Sequence, residues 1–386
     1  MIIGVPRESY QGERRVALVP ATVPALINVG LKVLVERGAG DNAGFPDLAY
    51  EEQGASFATD RSQLFSSVDV IVQVSSLKSN PDVAHSGQII VGLLNPFAAP
   101  EVVRGLAEKG VTAFALELLP RISRAQSMDA LTSMATIAGY KSVLLAAERL
   151  PKMFPMMFTA AGTLTPAKVF VVGAGVAGLQ AIATAHRLGA VVQAYDVRPS
   201  VREQVVSLGA KFLEIELEAK GAEASTGYAK AMGEEFYRRQ RETMKQAVVE
   251  HDVVITTAAI PGKKAPILIT QEMIEGMRPG SIVIDLVAEA GGNCELTRPG
   301  ETVDLNRVTI LGPVNLPSTV PYHASLMYAK NVTAFLQNLV KDGQLQINME
   351  DQIIRDTLLM HKGEIVNAQV REMLGLATST VEGSRP

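Results

Sequence analysis

Val169 to Pro199 reads VFVVGAGVAGLQAIATAHRLGAVVQAYDVRP, and much of the architecture can be worked out from it. A short apolar run, KVFVV, leads into Gly173, Gly175 and Gly178, spaced GxGxxG where a buried strand would turn into a helix. The first glycine allows a tight turn, the second lets the backbone approach a pyrophosphate, and the third permits close helix–strand packing. The N–H groups opening that helix lack intrahelical partners and attract anions. The next run, AVVQAY, ends at Asp196, where an acid can hydrogen-bond a ribose hydroxyl. Motif, context and acid together predict a dinucleotide site. The acid favours NAD over NADP, because it would repel a 2′-phosphate. Arg198 beside it could instead pair with such a phosphate. Val169–Ala185 carries no charge, but its glycines argue for a buried β-turn-α unit rather than a membrane span.

Around this unit, apolar runs alternate with helical patterns. Before it come IIGV, KVLVE, VDVIVQV, QIIVGLL and VTAFALEL, with helix candidates such as Pro20–Val29 and Pro100–Lys109 between them. From Lys168 a second series follows: KVFVV, AVVQAY, AKFLEI, DVVITT, SIVIDL and VTILG. Near-continuous apolar strands separated by helices predict parallel sheets covered on both faces. The expected fold is α/β, two doubly wound parallel-sheet domains joined by long helices. Residues 1–130 with 318–386 form one, discontinuous domain, and residues 131–317 form the other, which carries the glycine motif. The long helical patterns are Leu131–Leu150 and Tyr322–Val340. On the first, Ala135, Ala138, Gly139, Ser142 and Ala146 recur at helical spacing and offer a face for close packing. The tail from Lys341 is mixed and has no evident placement.

Composition narrows the function. The chain has 386 residues, 47% hydrophobic and 20% charged, with a formal net charge of −4, which disfavours a nucleic-acid surface. One cysteine, Cys294, excludes an intrachain disulfide and a cysteine-based metal cluster, and no metal site is expected. The N-terminus, MIIGVPRESY, reads as a strand running into a charged turn, without a signal peptide.

Two loops stand out for chemistry. Pro120–Ser133, PRISRAQSMDALTS, holds Arg121, Gln126 and Asp129 but no histidine, lysine or cysteine. Oxidation of an alcohol or amine needs a proton acceptor near the nicotinamide. None of His85, His186, His251, His323 and His361 falls in a loop assigned to the site. Hydride transfer between two nicotinamides releases no substrate proton and needs positioning instead. Arg121 could hold a phosphate, Gln126 could bridge ribose and amide groups, and Asp129 could accept from a carboxamide. Alternatively, Asp129 caps the following helix and the arginines face solvent. The second loop, KGAEASTGYAK, carries Tyr228 and reads either as a mobile lid or as a solvated loop. TTAAIPGKKAP, with Ala259 and Pro261, follows the fourth strand of the second series and should lie along the nucleotide crevice, unless it is a plain connection.

PRISRAQSMD, TAAG…PAKVFVVGAGVAGLQAIATA, GYAK and IPGKKAPILIT…GSIVIDL…GGNCE closely resemble the soluble NAD(H)-binding component of proton-translocating NAD(P) transhydrogenase. The similarity extends from IGVPRE…ERRVALVP to IIRDTLLMHKGEI, and the Arg-x4-Gln-x2-Asp loop is specific to that family. It implies that Arg121, Gln126, Ser127, Met128 and Asp129 line the nicotinamide, with Thr132 where the family often has serine. It also implies that Val176, Asp196, Val197 and Arg198 hold the dinucleotide and that Gly227 and Tyr228 belong to a closing loop. Further implications are a homodimer that docks NADP(H)-binding and membrane-spanning partner subunits, with NADP(H) carried by the partner. The chain itself would be cytoplasmic and peripheral on the inner membrane face, without direct membrane insertion. Alanine dehydrogenase shares the fold and the VPRE…RVAL opening with Arg15. That family places a lysine and a histidine at its amino-acid site, about where this chain has Ser75 and Asn95. A non-catalytic NAD-binding regulator is a third reading of the residues.

Overall fold

The computed structural model describes residues 1–75, 84–214, 234–260, 263–341 and 343–376. The chain divides into two compact units, Met1–Met134 with Ser318–Pro386, and Ala135–Pro317. The first division falls inside the helix Ala130–Arg149, so this helix carries the chain from one unit into the other. The helix Pro321–Leu339 lies wholly within the first unit.

The first unit begins with β1 (Ile2–Val5), β2 (Lys32–Glu36), β3 (Ser56–Ala58), β4 (Val70–Val72), β5 (Ile89–Gly92) and β6 (Thr112–Ala115). These six pair in parallel, in the order β6-β5-β4-β1-β2-β3. The second unit opens with a hairpin, β7 (Met157–Thr159) and β8 (Gly162–Leu164). It continues with β9 (Lys168–Val172), β10 (Val191–Tyr195), β11 (Lys211–Phe212), β12 (Val253–Thr256), β13 (Ile282–Asp285), β14 (Thr302–Leu305) and β15 (Val308–Leu311). Its sheet has the order β11-β10-β9-β12-β13-β15-β14, parallel except for the edge strand β14. Back in the first unit, β16 (Val340–Lys341) and β17 (Gln344–Leu345) form a small hairpin. After it, β18 (Leu358–His361) and β19 (Glu364–Ile365) extend the large sheet antiparallel beyond β6. The tail, without a place in the sequence reading, thus supplies two strands of an eight-stranded sheet.

The apolar runs form strands because both sheet faces are covered. Along β9, Val169 and Val171 enter a core with Ile182, Val192 and Ile255, while Phe170 and Val172 enter another with Met244, Val254 and Met273. Burying each such side chain contributes about 1.5–3 kcal/mol. In the first unit, Phe114 of β6 meets Phe335 edge-on, ring centroids 5.6 Å apart. Some expected elements are shorter. Pro20–Val29 is a 3-10 turn, Pro20–Thr22, followed by the helix Val23–Ile27. VTAFALEL leaves the sheet after Ala115 and winds into a 3-10 turn, Leu116–Leu118. AKFLEI contributes two strand residues.

Among its parallel strands, each sheet has one point where the chain reverses its direction of strand addition, between β1 and β4 in the first unit and between β9 and β12 in the second. Open α/β sheets bind ligands outside the carboxyl ends of the strands at such points.

Candidate functional site

The glycine turn lies at the switch point of the second unit, and its three glycines answer to different constraints. Gly173 has φ 96°, a left-handed conformation, and a Cβ there would lie 2.7 Å from Thr257 Oγ1. At Gly178 a Cβ would sit 1.9 Å from the Gly173 carbonyl oxygen, so helix and turn meet backbone to backbone. Among the described residues, a Cβ at Gly175 would have no heavy atom within 4 Å. Gly175 is the N-cap of the helix Val176–Arg187 and, having no side chain, leaves the helix N-terminus without a side-chain cap of its own. An open cradle at uncapped helix N–H groups fits a pyrophosphate. The helix is seated from behind by Gly139, where a Cβ would lie 2.1 Å from the Ala177 carbonyl oxygen. The small-residue face of Ala130–Arg149 therefore packs closely at this residue.

Asp196, after β10, is more heavily engaged than the sequence suggests. Its Oδ2 accepts from the Ala174 N–H at 2.7 Å, tying the glycine turn to the neighbouring strand. Arg198 donates to it twice through the guanidinium, Nε to Oδ1 and Nη2 to Oδ2, both at 2.9 Å, and once through its backbone N–H. The pair is buried, with side chains 5% and 12% exposed. Asp196 is therefore a clamped acid rather than an isolated acceptor, and Arg198 is its bidentate partner. Val197, between them, is partly buried.

The turn after β12 joins the glycine turn. Thr257 Oγ1 donates to the Gly173 carbonyl at 3.0 Å, and Asn293 holds Ala258 by both its N–H and its C=O. Asn293 is fully buried and is fixed in turn by Asp285, whose Oδ2 accepts the N–H groups of Asn293 and Cys294 and the Thr297 hydroxyl. The sequence reading missed both residues. Their signal is an acid closing an apolar strand, followed by the polar break GGNCE. Ala259 is exposed at this turn, whereas Pro261, Gly227 and Tyr228 lie outside the described residues.

In the first unit, Ser123–Met128 forms a 3-10 turn before the long helix. Arg121, Gln126 and Ser127 are exposed, and Met128 points inward at 6% exposure. Among the described residues the Gln126 amide has no partner. Asp129 takes the capping position in full: Oδ1 accepts from the Thr132 N–H at 2.8 Å and Oδ2 from the Thr132 hydroxyl at 2.6 Å.

A second polar cluster, not singled out as a group in the sequence, occupies the switch point of the first unit. After β1, Glu13 binds Arg15 through both oxygens, at 2.8 and 2.7 Å, and accepts the Ser75 hydroxyl at 2.6 Å. Burial alone would raise Glu13, but the hydrogen bonds and charge of Arg15 outweigh it and hold the carboxyl down at about 2. Glu8 accepts the Val74 N–H at 2.6 Å, and burial drives it up to about 7. Asn95, at φ 48°, gives its backbone N–H to Glu117, which burial also raises to about 7. Ser75 and Asn95 thus serve internal hydrogen bonds here. Among the described residues no cluster of three or more metal-ligating side chains occurs. One described helix, Ala130–Arg149, is long and apolar enough to cross a membrane by length and composition alone. The uncharged segment Val169–Ala185 is the expected β-turn-α unit: β9, the glycine turn and a helix that buries one face through Gly178, Ala181, Ile182 and Ala185.

The chain matches the family models "Alanine dehydrogenase/PNT, N-terminal domain" over residues 4–138 and "Alanine dehydrogenase/PNT, C-terminal domain" over residues 142–368. It is 47% identical to an NAD(P) transhydrogenase alpha-subunit polypeptide of Rhodospirillum rubrum, over 95% of this chain and 98% of that protein. It is 44% identical to NAD(P) transhydrogenase subunit alpha of Haemophilus influenzae, over 96% of this chain and 73% of that one. A crystal structure of transhydrogenase from Sinorhizobium meliloti superposes with a TM-score of 0.85 at 43% identity, covering 95% of this chain and all of that one. Alanine dehydrogenase of Bacillus subtilis is more distant, 29% identical over 97% of this chain and 95% of that protein. With both halves of the family matched and the higher identities on one side of it, the chain belongs to the alanine dehydrogenase/PNT family, among its NAD(P) transhydrogenase alpha subunits.

Proposed function

We propose that this chain binds NAD(H) and passes hydride between NADH and NADP⁺ held on a partner subunit, in a complex that couples the transfer to proton translocation through a membrane-spanning partner. The observation that supports it most is the open cradle at Gly175, at a sheet switch point and beside a buried acid. Gly173, Gly175, Val176 and Gly178 hold the pyrophosphate, while Asp196, Val197 and Arg198 define the adenosine end, with Ala259 and Pro261 along the crevice. NADH supplies the hydride, which reduces NADP⁺ to NADPH and leaves NAD⁺, with no substrate proton released. Arg121, Gln126, Ser127, Met128, Asp129 and Thr132 then act by position. Gln126 offers an amide unengaged among the described residues, and Asp129 rigidifies the entrance to the helix. Gly227 and Tyr228 are further proposed cofactor contacts. The chain works as a homodimer, cytoplasmic and peripheral to the inner membrane face through its partners.

Ser75 and Asn95, where alanine dehydrogenase carries lysine and histidine, weigh against amino-acid oxidation. The test assays reduction of an NADP⁺ analogue by NADH with and without the partner subunits, and separately alanine with NAD⁺. Transfer that depends on the partners is expected. Alanine oxidation, or no transfer with the partners present, would overturn the reading.

A further inference from the structure

The Ser123–Met128 turn is held by residues far away in the chain, all within the first unit. Arg124 donates to Asp351 through Nη1 at 2.9 Å and Nη2 at 2.5 Å, and to Asn338 Oδ1 at 3.2 Å. Asp351 is itself fixed, because it caps the helix Gln352–Thr357 through the Ile353 N–H at 2.9 Å. On the other side of the turn, Asn331 Nδ2 donates to the Ser127 carbonyl at 2.8 Å. Asn331 and Asn338 stand seven residues apart on the helix Pro321–Leu339, two turns along one face. Ala125 and Met128 close the arrangement from inside, at 1% and 6% exposure.

Asn331 is costly where it stands. It is 7% exposed, and its Oδ1 is buried without a hydrogen-bond partner among the described residues. An apolar side chain of similar size would avoid that desolvation cost. What the asparagine does provide is a fixed Ser127 carbonyl, and Ser127 is the neighbour of Gln126. A turn pinned at Arg124 and Ser127 has little freedom in the two residues between them.

We propose that Asn331, together with the Arg124–Asp351 ion pair, is a positioning device for hydride transfer, holding Gln126 and Ser127 in one orientation without touching the cofactor. This rests on the reading above, in which the loop positions the nicotinamide. Displacement of about 1 Å at a reacting site can lower a rate on the order of 100-fold. Asn331→Leu removes the donor together with the orphaned oxygen. The variant should keep or raise the melting temperature, leave NADH affinity within about twofold, and slow transfer by about 10- to 100-fold. A residue with a merely structural role would not separate stability from rate in this way. Arg124→Ala changes an exposed side chain and leaves the Asp351 cap intact, so it serves if the first variant fails to fold. In the double variant the losses should fall short of the product of the two single losses, since both contacts fix one turn.

The experiment is stopped-flow transfer from NADH to NADP⁺ bound on the partner NADP-binding subunit, with NADH affinity measured by equilibrium titration. Slow transfer with unchanged affinity supports the proposal. Transfer within twofold of the unmodified chain in both variants overturns it, as does an affinity that falls in step with the rate. Absence of transfer in the unmodified chain overturns the proposed function, and this inference with it.

Discussion

Gly175 and Gly178 belong to one motif, yet their surroundings predict opposite phenotypes. Gly175→Val places its side chain in space open among the described residues, so the fold should survive with an unchanged melting temperature. NADH affinity should drop at least tenfold, because the side chain occupies the cradle. Gly178→Ala forces a methyl group to within 1.9 Å of the Gly173 carbonyl, and overpacking of this kind costs about 1–3 kcal/mol. Thermal denaturation beside NADH titration separates the two, and equal destabilisation in both would refute the assignment. Asp196→Ala tests the adenosine end. It should narrow the preference for NADH over NADPH, since the carboxylate that repels a 2′-phosphate is gone and Arg198 loses its bidentate partner. The variant should also lose about 3–5 kcal/mol of stability, as expected when a buried pair is broken on one side. Equal affinity of the unmodified chain for both cofactors would sink the NAD assignment. The sequence showed which residue types meet at this site, because the spacing of glycines and an acid after a strand is local. It did not show that Asp196 is clamped by Ala174 and Arg198, because that depends on how the second strand lies beside the turn.

Among the elements, most parallel strands were legible because burial on both faces makes them near-continuous apolar runs; the sheet-edge strand β3, SFA, with only Ala58 buried, was not. The edge strand β14 was not, since TVDL alternates exposed and partly buried residues and has no apolar run to detect. The tail strands β18 and β19 were missed because short antiparallel additions at a sheet edge depend on a partner, β6, hundreds of residues earlier in the chain. The hairpin β7–β8 escaped because it lies within PKMFPMMFTAAGTLTP, which resembles a linker between helix and strand. All six of its strand residues are exposed, with Phe158 78% and Leu164 46% accessible. A lone two-stranded hairpin is marginal in water, and its open apolar edges are a template for strand pairing. A second copy of the chain brings the same edge, and identical edges can pair about a two-fold axis. The hairpin is accordingly our candidate for the proposed homodimer contact. Phe158→Asp should shift dimer to monomer at micromolar concentration in sedimentation velocity, while NADH binding persists. A monomeric unmodified chain, or a variant that remains dimeric, would remove the hairpin from that role.

At the scale of the whole molecule, the buried carboxylates give the first unit a pH dependence that can be worked out in sign. Glu13 and Asp351 both titrate at about 2 in the fold, below their ordinary values. For Asp351 the hydrogen bonds from Arg124 are the main cause. Their stabilisation is present above the unfolded pKa, near 4, and is lost as the pH falls toward 2. Glu8 and Glu117 behave in the opposite way. Burial raises both from 4.5 to about 7, so between those values the folded state binds more protons than the unfolded chain. Their contribution is full below pH 4.5 and is lost as the pH rises through 7. Each pH unit between folded and unfolded pKa is worth about 1.4 kcal/mol. Both residues keep some solvent exposure, which reduces the effect to about 1–2 kcal/mol each. Glu8 faces Glu13, Arg15 and Tyr328, and the negative charge of Glu13 adds to its preference for the neutral form. The first unit should therefore be most stable near pH 5 and less stable at pH 8. Glu8→Gln keeps the shape and the neutral charge, so it should flatten the fall between pH 5 and 8 while changing little at pH 5. Calorimetry across that range is the check. A stability that rises from pH 5 to 8, or a Glu8→Gln curve parallel to that of the unmodified chain, would show that Glu8 stays ionised throughout.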